Sequence, residues 1–131
     1  MAKQIKRTTE TKQALMDAFW ELFCERKIEK ITVKAITEKA GFNRSTFYEY
    51  FRDVYDVLEA IEDDILQKHK NAMVRNLLET DAETAKKNTI LFLEKNITRI
   101  AILLGPNGDP KFHIIVKKHI ASFLRDYMDF D

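Results

Sequence analysis

AGFNRSTFYEYF, residues 40–51, holds five aromatic rings beside an arginine, a serine and a threonine. A helix buried on every side would not gather Arg44, Ser45 and Thr46, because each buried polar group needs a partner. A helix surrounded by water would not carry five rings. The stretch therefore needs two surfaces, one apolar and one polar. Its punctuation shows where the chain turns. Gly41 suits the left-handed residue that ends a helix at low cost, and Asn43 suits an N-cap, so a helix is expected from Arg44 to about Phe51.

Upstream, Thr32 offers a hydroxyl cap for a helix running to Ala40, with Val33, Ile36 and Ala40 facing inward. Two short helices joined by three residues, with glycine at the head of the joint, have the form of a helix-turn-helix. The second helix of that motif enters the DNA major groove. Phe47 and Phe51 lie one turn apart and, with Phe42, anchor this helix to those beneath. Arg44, Ser45, Thr46 and Tyr48 emerge on or near the other side.

Before the motif, Leu15, Ala18, Phe19, Leu22 and Phe23 recur at helical spacing, which predicts a helix over 8–26 capped by Thr8 or Thr9. Lys3, Lys6 and Arg7 then form a basic arm ahead of it, either a minor-groove contact or a solvated terminus. After the motif, Asp53 caps a helix with Val54, Val57, Leu58, Ile61 and Ile65 inside, continuing straight or kinked to Glu79. Thr80–Glu83, TDAE, has a capping-box pattern. The helix it opens carries Ile90, Leu93, Ile97, Ile100 and Leu104 on one stripe. Leu91, Phe92, Ile102 and Leu103 lie off that stripe, which predicts cover on more than one side. Gly105 and Pro106 stop this helix, and Asp109 with Pro110 starts a last one bearing Phe112, Ile115, Val116, Ile120, Phe123 and Tyr127.

The chain of 131 residues contains three glycines and two prolines, too few for the many turns of an all-β fold, so an all-α fold is expected. Its longest apolar run, Ile100–Leu104, is five residues and far short of a membrane span. No signal-peptide pattern follows the basic start, and the single Cys24 allows no internal disulfide, so the expected compartment is the cytoplasm. Cys24 reads as a small hydrophobe rather than a redox switch. Residues 1–52 hold eleven Lys/Arg against seven Asp/Glu, a surplus of four positive charges, while the remainder holds eleven against fourteen. A basic front suits a polyanionic partner.

Catalysis finds no foothold in the sequence. It has no Gly-rich phosphate loop and no nucleophile elbow, and His69, His113 and His119 lack metal-ligand spacing, so no enzyme activity, cofactor or metal is expected. His119 lies near the apolar stripe of the last helix and reads as a satisfied packing histidine, the alternative being a hydrogen bond to a ligand.

The residues from Ala18 to Leu58, AFWELFCERKIEKITVKAITEKAGFNRSTFYEYFRDVYDVL, resemble the N-terminal DNA-binding domain of the TetR family of one-component bacterial regulators. The signature is a Phe-rich first helix, T-V-x-x-I, a Gly-led turn, R-S-T-F-Y-x-Y-F and a charged turn into a Leu/Val helix. The resemblance covers residues 8–60. Leu91–Phe112 is similar to the ligand domain of a branch grouped with a dihydroxyacetone-kinase activator.

The resemblance implies a DNA-binding domain over 1–60 and a helical regulatory domain over 61–131. It further implies a homodimer on a palindromic operator of double-stranded DNA, usually a repressor, released by a small-molecule effector whose identity and pocket stay unknown. Asn43, Arg44, Ser45 and Thr46 match the start of the family's reading helix, with Arg44 suited to a guanine. Tyr48 and Tyr50 match phosphate contacts, and Thr32 fits a phosphate at a helix head.

Three positions depart from the family pattern. Val54 stands where a phosphate-holding lysine is common, leaving Arg52 as its substitute. Lys27 stands where glycine often follows the first helix, at a cost of roughly 1 kcal/mol if left-handed. The chain ends at Asp131, before the helices that usually complete the dimer interface, so either an incomplete C-terminal domain or an unusually short member dimerising through other helices is expected. The alternative function is a helix-turn-helix-shaped adaptor or co-activator that binds protein without reading DNA.

Overall fold

A computed structural model describes residues 2–78 and 81–127, and side chains within 6–78 and 81–126. The chain is all-α: six α-helices and one short 3-10 turn, with no strand among the described residues. Two compact units divide between Ile61 and Glu62. They are α1 (Ala2–Glu25), the 3-10 turn (Ile28–Lys30), α2 (Val33–Ala40), α3 (Arg44–Tyr50) and the head of α4 (Val54–Leu78), then the rest of α4 with α5 (Ala82–Leu104) and α6 (Phe112–Tyr127).

The first unit is built on aromatic spacing. Leu15, Phe19, Leu22 and Phe23 bury one face of α1, and Ile36, Phe47, Phe51, Val57, Leu58 and Ile61 complete the core. Each such side chain contributes about 1.5–3 kcal/mol by leaving water. Helix α1 packs on α2, and α2 on α3. Lys39 of α2 reaches Glu21 of α1 at 3.1 Å, but both side chains are exposed, so the pair adds little.

Helix α1 begins at Ala2, not at Thr8 or Thr9. The intervening AKQIKR contains strong helix formers and no breaker. A hydroxyl inside a helix bonds back to the preceding turn, and Thr11 Oγ1 does so, donating to the Arg7 carbonyl at 2.8 Å. Lys6 and Arg7 are thus exposed helical residues rather than a separate arm, while the side chain of Lys3 lies outside the described ones. Lys27 is extended, with φ −65° and ψ 149°, so the penalty of a left-handed residue does not arise. Cys24 is exposed rather than packed.

In the second unit, Leu103 and Phe112 are fully buried on either side of the α5–α6 turn. Gly108 is obligatory there, because a Cβ would lie 2.1 Å from the Leu103 carbonyl oxygen. The close approach lets Asp109 donate its N–H to that same carbonyl at 2.9 Å, satisfying the end of α5. Asp109 Oδ1 accepts from Lys111, and α6 begins at Phe112. Asp81 caps α5 by accepting from the Glu83 N–H at 3.0 Å, whereas Thr80, the expected cap, lies outside the described residues. Asn76 of α4 donates to Thr89 of α5 at 3.1 Å and accepts from Asn88 at 3.3 Å.

Among the described residues the predicted inner stripe of α5 is covered only in part. Ile90, Leu93 and Ile97 are about half exposed, as are Leu91 on α5 and Ile114 and Ile120 on α6. The face of α5 that packs carries Leu103 and the buried Asn96 instead. Periodicity locates the apolar stripe but not what lies over it. The side chain of Tyr127 lies outside the described ones.

Candidate nucleic-acid interface

Three residues connect α2 to α3, and their geometry follows from two local choices. Gly41 takes the left-handed conformation, φ 82°, and returns its N–H to the Thr37 carbonyl. Phe42 donates to the same carbonyl at 2.9 Å, closing α2 with a second bond. Asn43 then caps α3, its Oδ1 accepting from the Thr46 N–H at 3.0 Å. Thr32 caps α2 in the same way, its Oγ1 accepting from the Ala35 N–H at 3.0 Å.

Beneath α3, Phe47 is fully buried and Phe51 nearly so, with ring centroids 5.6 Å apart. At about 100° per residue these two rings define the inner side, and Glu49 stands nearly opposite with Ser45 beside it. Tyr48 forms one flank of the outward surface and Thr46 and Tyr50 the other, while Arg44, about 60° round from Phe47, is exposed at the head of the helix. Arg44, Ser45, Tyr48 and Glu49 are exposed, while Thr46 and Tyr50 are half-buried. Tyr48 meets Phe47 edge-on and keeps half of its surface in water.

Asn43 does more here than end a loop. Its Oδ1 also accepts from the Ser45 hydroxyl at 2.7 Å and the Thr46 hydroxyl at 2.9 Å. Three donors thus converge on one oxygen, leaving Asn43 its amide N–H groups for other partners. Ser45 and Thr46 spend their hydroxyl protons inside the cap and face outward as acceptors. Thr32 uses its oxygen in its cap and keeps its proton. Residue type alone makes all four candidates without revealing this division, which depends on the geometry of the α2 and α3 caps.

Charge is likewise sorted by pairing. Arg52 lies 3.6 Å from Asp56 and donates its backbone N–H to the same carboxylate, while Asp53 accepts from the Asp56 N–H. Lys34 faces Glu38 at 3.9 Å. Arg44 forms no ion pair or side-chain hydrogen bond among the described residues, so its guanidinium stands uncommitted at the head of α3. Val54 is buried at the head of α4 and offers no cation there.

An outward helix carried on a glycine-led turn, with an uncommitted arginine at its head and Phe47 and Phe51 turned inward, belongs to the class of helix-turn-helix DNA-binding transcription regulators. Residues 15–61 match the family model described as bacterial regulatory proteins, tetR family, and the N-terminal unit is a TetR-family helix-turn-helix domain. No curated protein matches the chain. No described helix is long and apolar enough to cross a membrane.

Two histidines that sequence spacing leaves apart come together in the second unit. His69 of α4 and His119 of α6 are linked through Nδ1 and Nε2, edge-on to each other and with Phe92 against His69. No group of three metal-ligating side chains occurs among the described residues. Fifty residues of sequence separation leave no local signal for this pair.

Proposed function

We propose that this chain is a sequence-specific transcriptional regulator that acts in the cytoplasm, binds a palindromic operator as a homodimer, and represses until a small-molecule effector releases it. It is non-catalytic. The observation that carries the reading is the outward face of α3, held by two capped turns and headed by an uncommitted Arg44. In this reading Arg44 forms bidentate bonds with a guanine, while Ser45 and Thr46 accept from base amino groups and Asn43 donates. Thr32, Tyr48, Tyr50 and Arg52 donate to phosphates and set the register.

The half-exposed isoleucines and leucine of α5 at 90, 93 and 97 support the dimer, since a stripe of that length is costly to leave in water. Effector release follows from linkage: the ligand favours the state that cannot hold DNA, and DNA weakens ligand binding by the same factor.

Selection of bound duplexes from a random pool at fixed low salt, with Arg44→Ala alongside, tests the reading. The parent should enrich an inverted repeat whose half-site spacing reports the separation of two α3 helices. The variant should lose that enrichment. A parent that enriches nothing while binding a protein partner unaffected by Arg44→Ala would establish the adaptor reading instead, which the buried Val54 and the Arg52–Asp56 pair favour.

A further inference from the structure

Within the second unit, α4 and α5 border an open groove of about 510 Å³, inside the size range of small-molecule sites. Four cations line it: Lys68 and Arg75 from α4, Lys95 and Arg99 from α5. No carboxylate lines it among the described residues. Asn71, Asn88 and Asn96 add amide groups, and Leu91 and Phe92 supply an apolar wall. We propose that this groove binds a small organic molecule bearing at least two negative charges, and that this is the chemical class of the effector. The proposal rests on reading the second unit as the effector-binding part of a regulator.

The spacing of the cations supports a ligand with two anionic ends. Lys68 and Arg75 are seven residues apart on one helix, roughly 10 Å along its axis, while Lys95 and Arg99 are one turn, about 6 Å, apart. Their side chains converge on the groove from two helices. A lone surface lysine would find its neighbours randomly signed, but here four like charges border one concavity in a unit that holds eleven basic and eleven acidic residues. Lys68 also meets Asp64 at 2.9 Å, an exposed pair of small strength that leaves its other donors available. Buried Asn96 donates to the Phe92 carbonyl at 2.9 Å, which braces the wall between the cations. By helical rotation the groove face of α5 lies nearly opposite Ile90, Leu93 and Ile97. A ligand in the groove and a second copy on that stripe therefore do not compete for surface.

The shared chemistry, two or more negative charges on a small frame, is met by phosphorylated compounds and by polycarboxylates. Titration calorimetry of the full chain with pyrophosphate and with citrate, each in magnesium-free buffer at one fixed salt concentration, separates the two. At least one should bind at one site per chain. Arg75→Glu and Lys95→Glu should each weaken it by about tenfold or more, the loss of one charge-assisted contact. Lys86→Glu makes the same charge change on the far side of α5 and should leave binding intact, as should Arg44→Ala on the DNA face. Helical signal and thermal midpoint of each variant report folding.

Binding of neither anion overturns the proposal. So does binding that survives both groove variants, or that falls equally with Lys86→Glu or with Arg44→Ala. The titration needs no DNA and the duplex selection needs no anion, so failure of one reading is distinguishable from failure of the other.

Discussion

His69 and His119, fifty residues apart, share a hydrogen bond of 3.0 Å between Nδ1 and Nε2, so one neutral ring donates and the other accepts. Partial burial disfavours a proton on either ring, and once both rings are protonated two cations face each other with no acceptor between them. Burial and then the neighbouring His119 hold the pKa of His69 below its ordinary value of 6.5. Burial and then Lys70 lower that of His119. The folded unit therefore binds fewer protons than the unfolded chain in this range. The stability the pair contributes is fully present above pH 6.5 and is lost as pH falls through the lowered folded values. Thermal midpoints measured downward from neutral pH should decline for the parent and more shallowly for His119→Gln. Identical slopes would remove the pair from any role in acid lability.

Phe47 is the keystone of the reading helix. Its replacement by alanine leaves a cavity beneath α3 and should cost about 3–5 kcal/mol in denaturant unfolding, with DNA binding lost as a consequence. Tyr48→Phe makes the opposite separation. The half-exposed ring keeps its edge contact with Phe47, stability stays within about 0.5 kcal/mol, and only the phenol donor to a phosphate disappears. A Tyr48→Phe protein that binds operator at parental strength would take that residue out of the interface.

The three donors converging on Asn43 make that residue structural first. Asn43→Ala should destabilise the protein by about 1–2 kcal/mol. Asn43→Asp keeps an accepting oxygen at the cap and should fold at least as well, yet it places a negative charge against DNA. Weakened operator affinity with undiminished stability is the expected signature, read by chemical denaturation beside a binding titration. Equal loss of both in the aspartate variant would contradict the division of roles.

Two glycines separate torsional from steric strain. Gly41 has open space where a methyl group would project but a φ of 82°, so Gly41→Ala should cost about 1 kcal/mol. Gly108 has no such room, since the methyl would meet the Leu103 carbonyl, and Gly108→Ala must move backbone at the α5–α6 turn. Its unfolding midpoint should fall well below that of Gly41→Ala. The reverse order would mean that the turn relaxes freely.

Local chemistry makes the first unit readable in advance. Thr32, Gly41, Asn43 and Asp53 each act on backbone groups within four residues, so their placement at helix ends follows from residue type and spacing alone. The inward rings Phe47 and Phe51 follow from helical period. Where the structure departs from the expectation, the deciding force is non-local or degenerate. The start of α1 lies in a run of good helix formers with two threonines that could equally cap or continue. The cover of the α5 stripe depends on which elements pack against it, and an apolar stripe looks alike whether a neighbour in the same chain covers it or not.

The amino-acid sequence by itself determined the all-α class, the helix-turn-helix and the helix faces that bear apolar groups, because these arise from torsional preference and periodicity over a few residues. Tertiary structure alone decided that His69 meets His119, that the backbone at Gly108 closes on the Leu103 carbonyl, and that cations from two helices border one groove. Each is a juxtaposition in space, fixed by how whole helices pack and how the chain folds back between them. Residue type and helical period carry no record of such a meeting, so no short window of sequence displays it.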